Sequence, residues 1–158
     1  MRITLGRSAA GIRAAAMSKA RILCVDDDKP TLLIIANVLK REGFDVATAL
    51  DGYEAVRKAR EFKPHLLILD IMMPGMDGYE VCSYLKGDPD TAKITVLMLT
   101  AKGSVSALST DGTQFAYKVQ DRLKGFDAGA LEFLTKPIKA RELVQRVKAV
   151  LWASSPAA

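Results

Sequence analysis

Two spacings of apolar residues alternate along the chain. Short, nearly continuous apolar runs occur at Arg21–Asp26 (RILCVD), Phe44–Ala49, His65–Asp70 (HLLILD), Thr95–Thr100 (TVLMLT) and Leu131–Thr135 (LEFLT). Runs of this length, rich in β-branched and large aliphatic side chains, predict buried strands. Between them the apolar residues recur at helical spacing. Leu32, Ile35, Ala36 and Leu39 mark a helix over Pro30–Arg41, and Ala55, Val56 and Ala59 mark one over Gly52–Phe62. Gly78–Lys86 reads as a third helix. Lys139–Trp152 reads as the last, with Leu143, Val144, Val147, Val150 and Leu151 on one face. Pro30 suits a first helical turn, and Gly43 and Pro64 end helices. Such alternation predicts an α/β fold, a doubly wound five-stranded parallel sheet covered on both faces.

In open sheets of this kind, ligands bind beyond the carboxyl ends of the strands. Those ends carry Asp26-Asp27-Asp28, Asp70, Thr100 and Thr135-Lys136-Pro137. Carboxylates about 5 Å apart repel by roughly 3 kcal/mol at an effective dielectric near 20. Such a cluster must protonate, pair or bind a cation. An open, all-oxygen site favours Mg²⁺ with retained waters and a phosphate substrate. Lys136 and Thr100 can each meet a phosphoryl oxygen, and a carboxylate nucleophile there would form an aspartyl phosphate.

Composition narrows the partners. The 158 residues carry a formal net charge of +5, yet Arg2, Arg7, Arg13, Lys19 and Arg21 stand in a stretch with no acid. The rest balances at 18 basic and 18 acidic side chains. The basic excess therefore argues for a tail and not for a nucleic-acid or membrane surface. Residues 1–19 are expected to be a disordered basic tail, with Met17 an alternative start, and residues 153–158 a disordered stub. No apolar run approaches the ~20 residues of a membrane span. Arg7 and Arg13 interrupt any signal-like stretch. Cys24 and Cys82 form no disulfide framework, so a reducing, cytoplasmic location is expected.

Asp26-Asp27, Asp70, Thr100 and Lys136-Pro137 together resemble the five-position signature of the response-regulator receiver family of two-component signalling. The flanking runs LLILDIMMPGMDG at 66–78 and GFDAGA at 125–130 agree with it. The resemblance covers residues 20–152. It implies a flavodoxin-like sheet of strand order 2-1-3-4-5 and a single-domain, chemotaxis-regulator-like switch, not an enzyme acting on a separate metabolite. The domain would assist only its own phosphorylation and dephosphorylation. By the same resemblance Asp70 is the phosphoacceptor, loaded by a sensor histidine kinase or a phosphotransfer protein. Asp26, Asp27, Asp70 and the backbone carbonyl of Met72 hold Mg²⁺, with Asp26 acting mainly through water. Lys136 contacts the phosphoryl group and Thr100 closes onto it. Phe133 takes the aromatic switch position, its ring turning inward as Thr100 moves, and the Lys136–Pro137 bond is cis. Output would pass to a protein partner through the fourth helix, fifth strand and fifth helix. Direct nucleic-acid or membrane binding is not expected, and oligomerisation is open.

Other residues have plainer readings. Asp28 either extends the acidic run or caps the next helix, and the capping preference of Asp favours the cap. Asp77 and Gly78 fit a turn and the start of a helix. His65, the single histidine, opens a strand at the end away from the acids. One departure from the family pattern stands out. An insertion at about 103–119 follows Thr100, and Asp111-Gly112 within it predicts a protruding β-hairpin or an ordered loop, expected to alter partner choice or self-association. Two rival readings remain. One is the receiver part of a DNA-binding transcription regulator. The other is a haloacid-dehalogenase-type phosphatase using Asp26-Asp27-Asp28, for which the second acidic pair is missing after Lys136.

Overall fold

A computed structural model describes Gly11, residues 19–100 and residues 129–154. Along the chain run β1 (Arg21–Val25), α1 (Lys29–Arg41), β2 (Asp45–Ala49), α2 (Gly52–Phe62), β3 (Leu66–Asp70), α3 (Gly78–Lys86), β4 (Thr95–Thr100), β5 (Glu132–Thr135) and α4 (Ala140–Ser154). The strands form one parallel sheet in the order β2-β1-β3-β4-β5. The expected α/β fold and strand order are therefore both present. The order reverses between β1 and β3, and this is where their carboxyl ends leave a crevice.

Each strand alternates between two cores. Leu23, Val25, Leu67, Leu69, Val96, Met98 and Phe133 face the side covered by α2 and α3. Ile22, Cys24, Leu66, Ile68, Leu97, Leu99 and Leu134 face α1 and α4. The middle strand β3 is fully buried along its length, as a strand covered on both faces must be. That is why its sequence shows a continuous apolar run and no alternation.

Helix starts follow the acids. Asp28 accepts from Thr31 N–H, Asp51 from Glu54 N–H and Asp77 from Glu80 N–H. Each satisfies an orphan donor of a first turn. At Gly78 the start of α3 lies close against the end of β3. A Cβ there would lie 2.5 Å from the Asp70 carbonyl oxygen and 2.8 Å from Ile71 Cα. At the opposite edge of the sheet the Arg21 guanidinium donates to the carbonyls of Phe62 and Lys63, closing the end of α2. Arg21, read from the sequence as the start of the first strand, is thus tied into the folded domain.

Element bounds differ from the sequence reading by one or two residues. The largest change is at the C-terminus, where Ala153 and Ser154, expected in a disordered stub, continue α4. The Ser154 hydroxyl returns to the Val150 carbonyl at 2.9 Å and holds that last turn. The expected tail apart from Gly11 and Lys19, the insertion at 103–119 with its hairpin, and the fourth helix of the output face lie outside the described residues. The expected fifth helix is α4. No helix among the described residues is long and apolar enough to cross a membrane.

Candidate functional site

The site is assembled by backbone hydrogen bonds between neighbouring strand ends. Asp26 N–H donates to Ala49 O at the end of β2, and Ile71 N–H donates to Leu99 O in β4. Lys136 N–H donates to Thr100 O at 2.8 Å. The side chains that follow β1, β3 and β5 therefore emerge at one level. Gly78 N–H binds Ile71 O at 2.9 Å and fixes the turn after Asp70. The Lys136–Pro137 bond is cis, as expected from the resemblance.

Three carboxylates converge. Oxygens of Asp26, Asp27 and Asp70 lie within 4.8 Å of one another. Asp26 and Asp70 are buried, at 0% and 3% exposure, while Asp27 faces solvent. Lys136 Nζ stands 2.6 Å from Asp26 Oδ2 and 3.3 Å from Asp70 Oδ1. Asp26 Oδ1 accepts the Asp28 N–H at 3.0 Å. Asp26 Oδ2 is buried and has no hydrogen bond of good geometry among the described residues. One lysine thus answers three carboxylates, and the cluster has room in its charge balance for a further cation. Hard oxygen donors with one open side suit a small divalent ion such as Mg²⁺.

The charges act on each other. Burial, then the neighbouring Asp26 carboxylate, push the Asp70 carboxyl up to about 6, against the pull of Lys136. Burial works to lower Lys136, but the Asp26 and Asp70 carboxylates outweigh it and hold the ammonium above its ordinary value. The lysine is a fixed cation at neutral pH.

The Thr100 hydroxyl lies 3.3 Å from the Thr135 hydroxyl and 3.4 Å from the Leu134 carbonyl. Both distances are at the weak end for O–H donors, so the hydroxyl is held loosely. Phe133 is buried in the core on the α2–α3 side, opposite Met98 in the strand register. Met72 is exposed beside the site. The carboxylate cluster consists of the three aspartates, with Met72 able to add only a backbone oxygen.

Two aspartates next to the cluster have other work. Asp28 is committed to the α1 cap, where it accepts from both the backbone and the hydroxyl of Thr31. Asp77 caps α3. His65 lies at the amino end of β3, where its Nδ1 accepts Arg21 N–H at 3.0 Å, far from the acids in the fold. Burial, then Arg21, lower its pKa. Two contributors escaped the sequence reading. Gly78 looks like any helix-start glycine, and only the packing of α3 on β3 reveals its contact with Asp70. Thr135 was visible as a strand-end residue, but its pairing with Thr100 depends on the β4–β5 register.

Comparison with known proteins adds a family. Residues 22–148 match the response regulator receiver domain. The chain is 40% identical over 131 residues to the DNA-binding dual master transcriptional regulator RpaA of Synechocystis, covering 83% of this chain and 48% of RpaA. It is 40% identical over 131 residues to the response regulator PleD of Caulobacter vibrioides, covering 83% of this chain and 26% of PleD. The alkaline phosphatase synthesis transcriptional regulatory protein PhoP of Bacillus subtilis is 40% identical over 138 residues, with 87% and 51% covered. The chain thus spans about half the length of RpaA and PhoP and about a quarter of PleD. Among solved structures, the signal receiver domain of a histidine kinase from Syntrophus aciditrophicus superposes with a TM-score of 0.68 at 34% identity, covering 85% of this chain and 91% of that one. The chemotaxis protein CheY4 of Vibrio cholerae superposes with a TM-score of 0.70 at 26% identity, covering 84% and 98%.

Proposed function

The chain belongs to the response regulator receiver domain family, and from that premise we propose that Asp70 accepts a phosphoryl group in a Mg²⁺-assisted reaction that switches a protein-binding face. The observation that carries this reading is the meeting of Asp26, Asp27 and Asp70 within 4.8 Å, with Lys136 Nζ 3.3 Å from Asp70 Oδ1. A carboxylate oxygen of Asp70 attacks the phosphorus of the donor. The new O–P bond forms as the donor's bond to phosphorus breaks, leaving an acyl phosphate on Asp70. Lys136, already beside Asp70, neutralises charge on the transferred group. Thr100, held only by two long contacts, is free to turn its hydroxyl towards it.

Asp26 and Asp27, with Asp70 and the Met72 carbonyl, are the groups that would hold the metal. When bound, Mg²⁺ screens the aspartates from the incoming phosphoryl oxygens and orients them. The donor is a sensor histidine kinase or a phosphotransfer protein. Phosphorylation adds about −1.5 to −2 charges at neutral pH. Phe133 is already buried here, in the inward place that this proposal gives its ring when Thr100 moves onto the phosphoryl group. Coupling of about 1.4 kcal/mol suffices for a tenfold change in partner affinity. The two buried free cysteines suit a reducing cytoplasm.

The relatives named as transcriptional regulators favour a second reading, in which this receiver controls a DNA-binding partner or segment. The phosphatase reading loses support, because Asp28 is occupied as a helix cap and stands outside the carboxylate cluster. A phosphorylation assay with a small acyl phosphate and Mg²⁺ separates the cases. Asp70→Asn is expected to abolish phosphoryl incorporation, and Asp26→Asn to slow it. Retention by Asp70→Asn with loss in Asp26→Asn would contradict the assignment.

A further inference from the structure

We infer that Thr135 is a positioning residue for Thr100: its hydroxyl is the resting partner of the Thr100 hydroxyl and biases it away from Asp70. The apolar runs of β4 and β5 both stop at a threonine. Thr100 and Thr135 are register partners in the parallel ladder. Their side chains therefore stand on one face of the sheet, the face that Met98 and Phe133 share two residues earlier. The two hydroxyls lie 3.3 Å apart. Hydrogen-bonded threonine pairs of this kind are a recognised cross-strand contact. The other acceptor for Thr100 is the Leu134 carbonyl at 3.4 Å. Both partners belong to β5. Since β4 lies between β3 and β5, and Asp70 ends β3, a bond towards β5 turns the hydroxyl to the side away from Asp70.

A hydroxyl has one proton to donate. Thr100 cannot give it to β5 and to a phosphoryl oxygen on Asp70 at once, so closing onto that group breaks the resting contact. The Thr135 hydroxyl then loses its one hydrogen-bond partner among the described residues. Both threonines are half-buried, so water compensates that loss only in part. The contact is long, and it acts as a bias of a few fold and not as a lock. Removing the Thr135 hydroxyl removes the bias and leaves the frame in place. Valine keeps the branched shape that strands favour, and the Lys136 N–H to Thr100 O bond at 2.8 Å still joins the two strand ends. The pairing itself holds whatever Asp70 accepts, whereas its consequence for phosphoryl binding rests on the function proposed above.

The test uses the full chain and two readouts. In the first, beryllium fluoride, an inorganic analogue of a phosphoryl group, is titrated in excess Mg²⁺ and followed by calorimetry. Thr135→Val is expected to bind it about two- to fivefold more tightly than the wild type, the size that one weak cross-strand bond supports. Thr135→Ser, which keeps the hydroxyl, is expected to match the wild type. In a Thr100→Val background the Thr135→Val change is expected to do nothing, because the pair is already gone. The second readout needs neither metal nor analogue. Three-bond couplings of the Thr100 methyl group report its χ1 rotamer, expected to be one dominant state in the wild type and averaged in Thr135→Val. Circular-dichroism melts check folding, and Thr135→Ala serves if Thr135→Val does not fold. Equal affinity of wild type and Thr135→Val, a Thr135→Ser that follows Thr135→Val, the same gain in the Thr100→Val background, or unchanged couplings would each overturn the assignment. No analogue binding by the wild-type chain would overturn the phosphoacceptor reading instead, and the couplings would still decide the pairing.

Discussion

Asp70 is held between opposing forces that set its pH behaviour. Its carboxyl is raised to about 6 by burial and by Asp26, whereas an unfolded Asp titrates near 3.9. Between these values the folded state binds more protons than the unfolded one, so stability falls as pH rises from about 4 through 6. Above that, the ionised carboxylate is a standing cost to the metal-free fold. Asp70→Asn is therefore expected to stabilise the protein by about 1–2 kcal/mol at pH 8 in chelator, with the gain fading towards pH 4. Urea melts at the two pH values measure this, and an equal gain at both would contradict it. The site residues themselves could be read from the sequence because each sits where an apolar run stops. Asp26, Asp70, Thr100 and Lys136 follow buried strands, and polar side chains there have only the sheet edge to occupy. The contacts of Arg21 at the start of β1 could not be read, since its partners are the backbone carbonyls of Phe62 and Lys63. Carbonyl partners leave no mark in a sequence.

Helices and strands were legible to within one or two residues, because apolar spacing and capping acids agree at each boundary. What spacing does not encode is the distance between elements. Gly78 sits where α3 meets the end of β3, and any Cβ there collides with the Asp70 carbonyl. Gly78→Ala is expected to cost about 1–3 kcal/mol by overpacking and to slow phosphoryl uptake by displacing the turn after Asp70. Asp77→Ala, one residue away, removes only a cap and should cost about 1 kcal/mol with uptake largely kept. Chemical melts paired with phosphorylation rates compare the two. Matching losses of rate would show that the α3 start, and not the close contact at Gly78, governs the site. The switch element is a similar case. Phe133 is identifiable as an aromatic beside Lys136, but which way its ring lies depends on packing against β4 and the residues around it.

The whole molecule divides its charge by place. A chain that is neutral on average beyond residue 21 concentrates Asp26, Asp27 and Asp70 at one sheet edge and places Arg41 and Arg141 between α1 and α4. Net charge alone therefore says little about partners, and the topology that gathers those residues says more. The order β2-β1-β3-β4-β5 places β1 and β3 side by side, so acids separated by more than forty positions meet. This long-range meeting is also why the sequence could nominate the cluster but could not give its distances. The most direct test of the account locates the phosphoryl group itself. The wild-type chain is incubated with a small acyl phosphate in Mg²⁺ or in chelator, cleaved, and its peptides weighed. One phosphoryl mass on the peptide containing Asp70, present with Mg²⁺ and absent in chelator, is the predicted result. A phosphoryl group on another residue, or none on Asp70 with Mg²⁺ present, would contradict it.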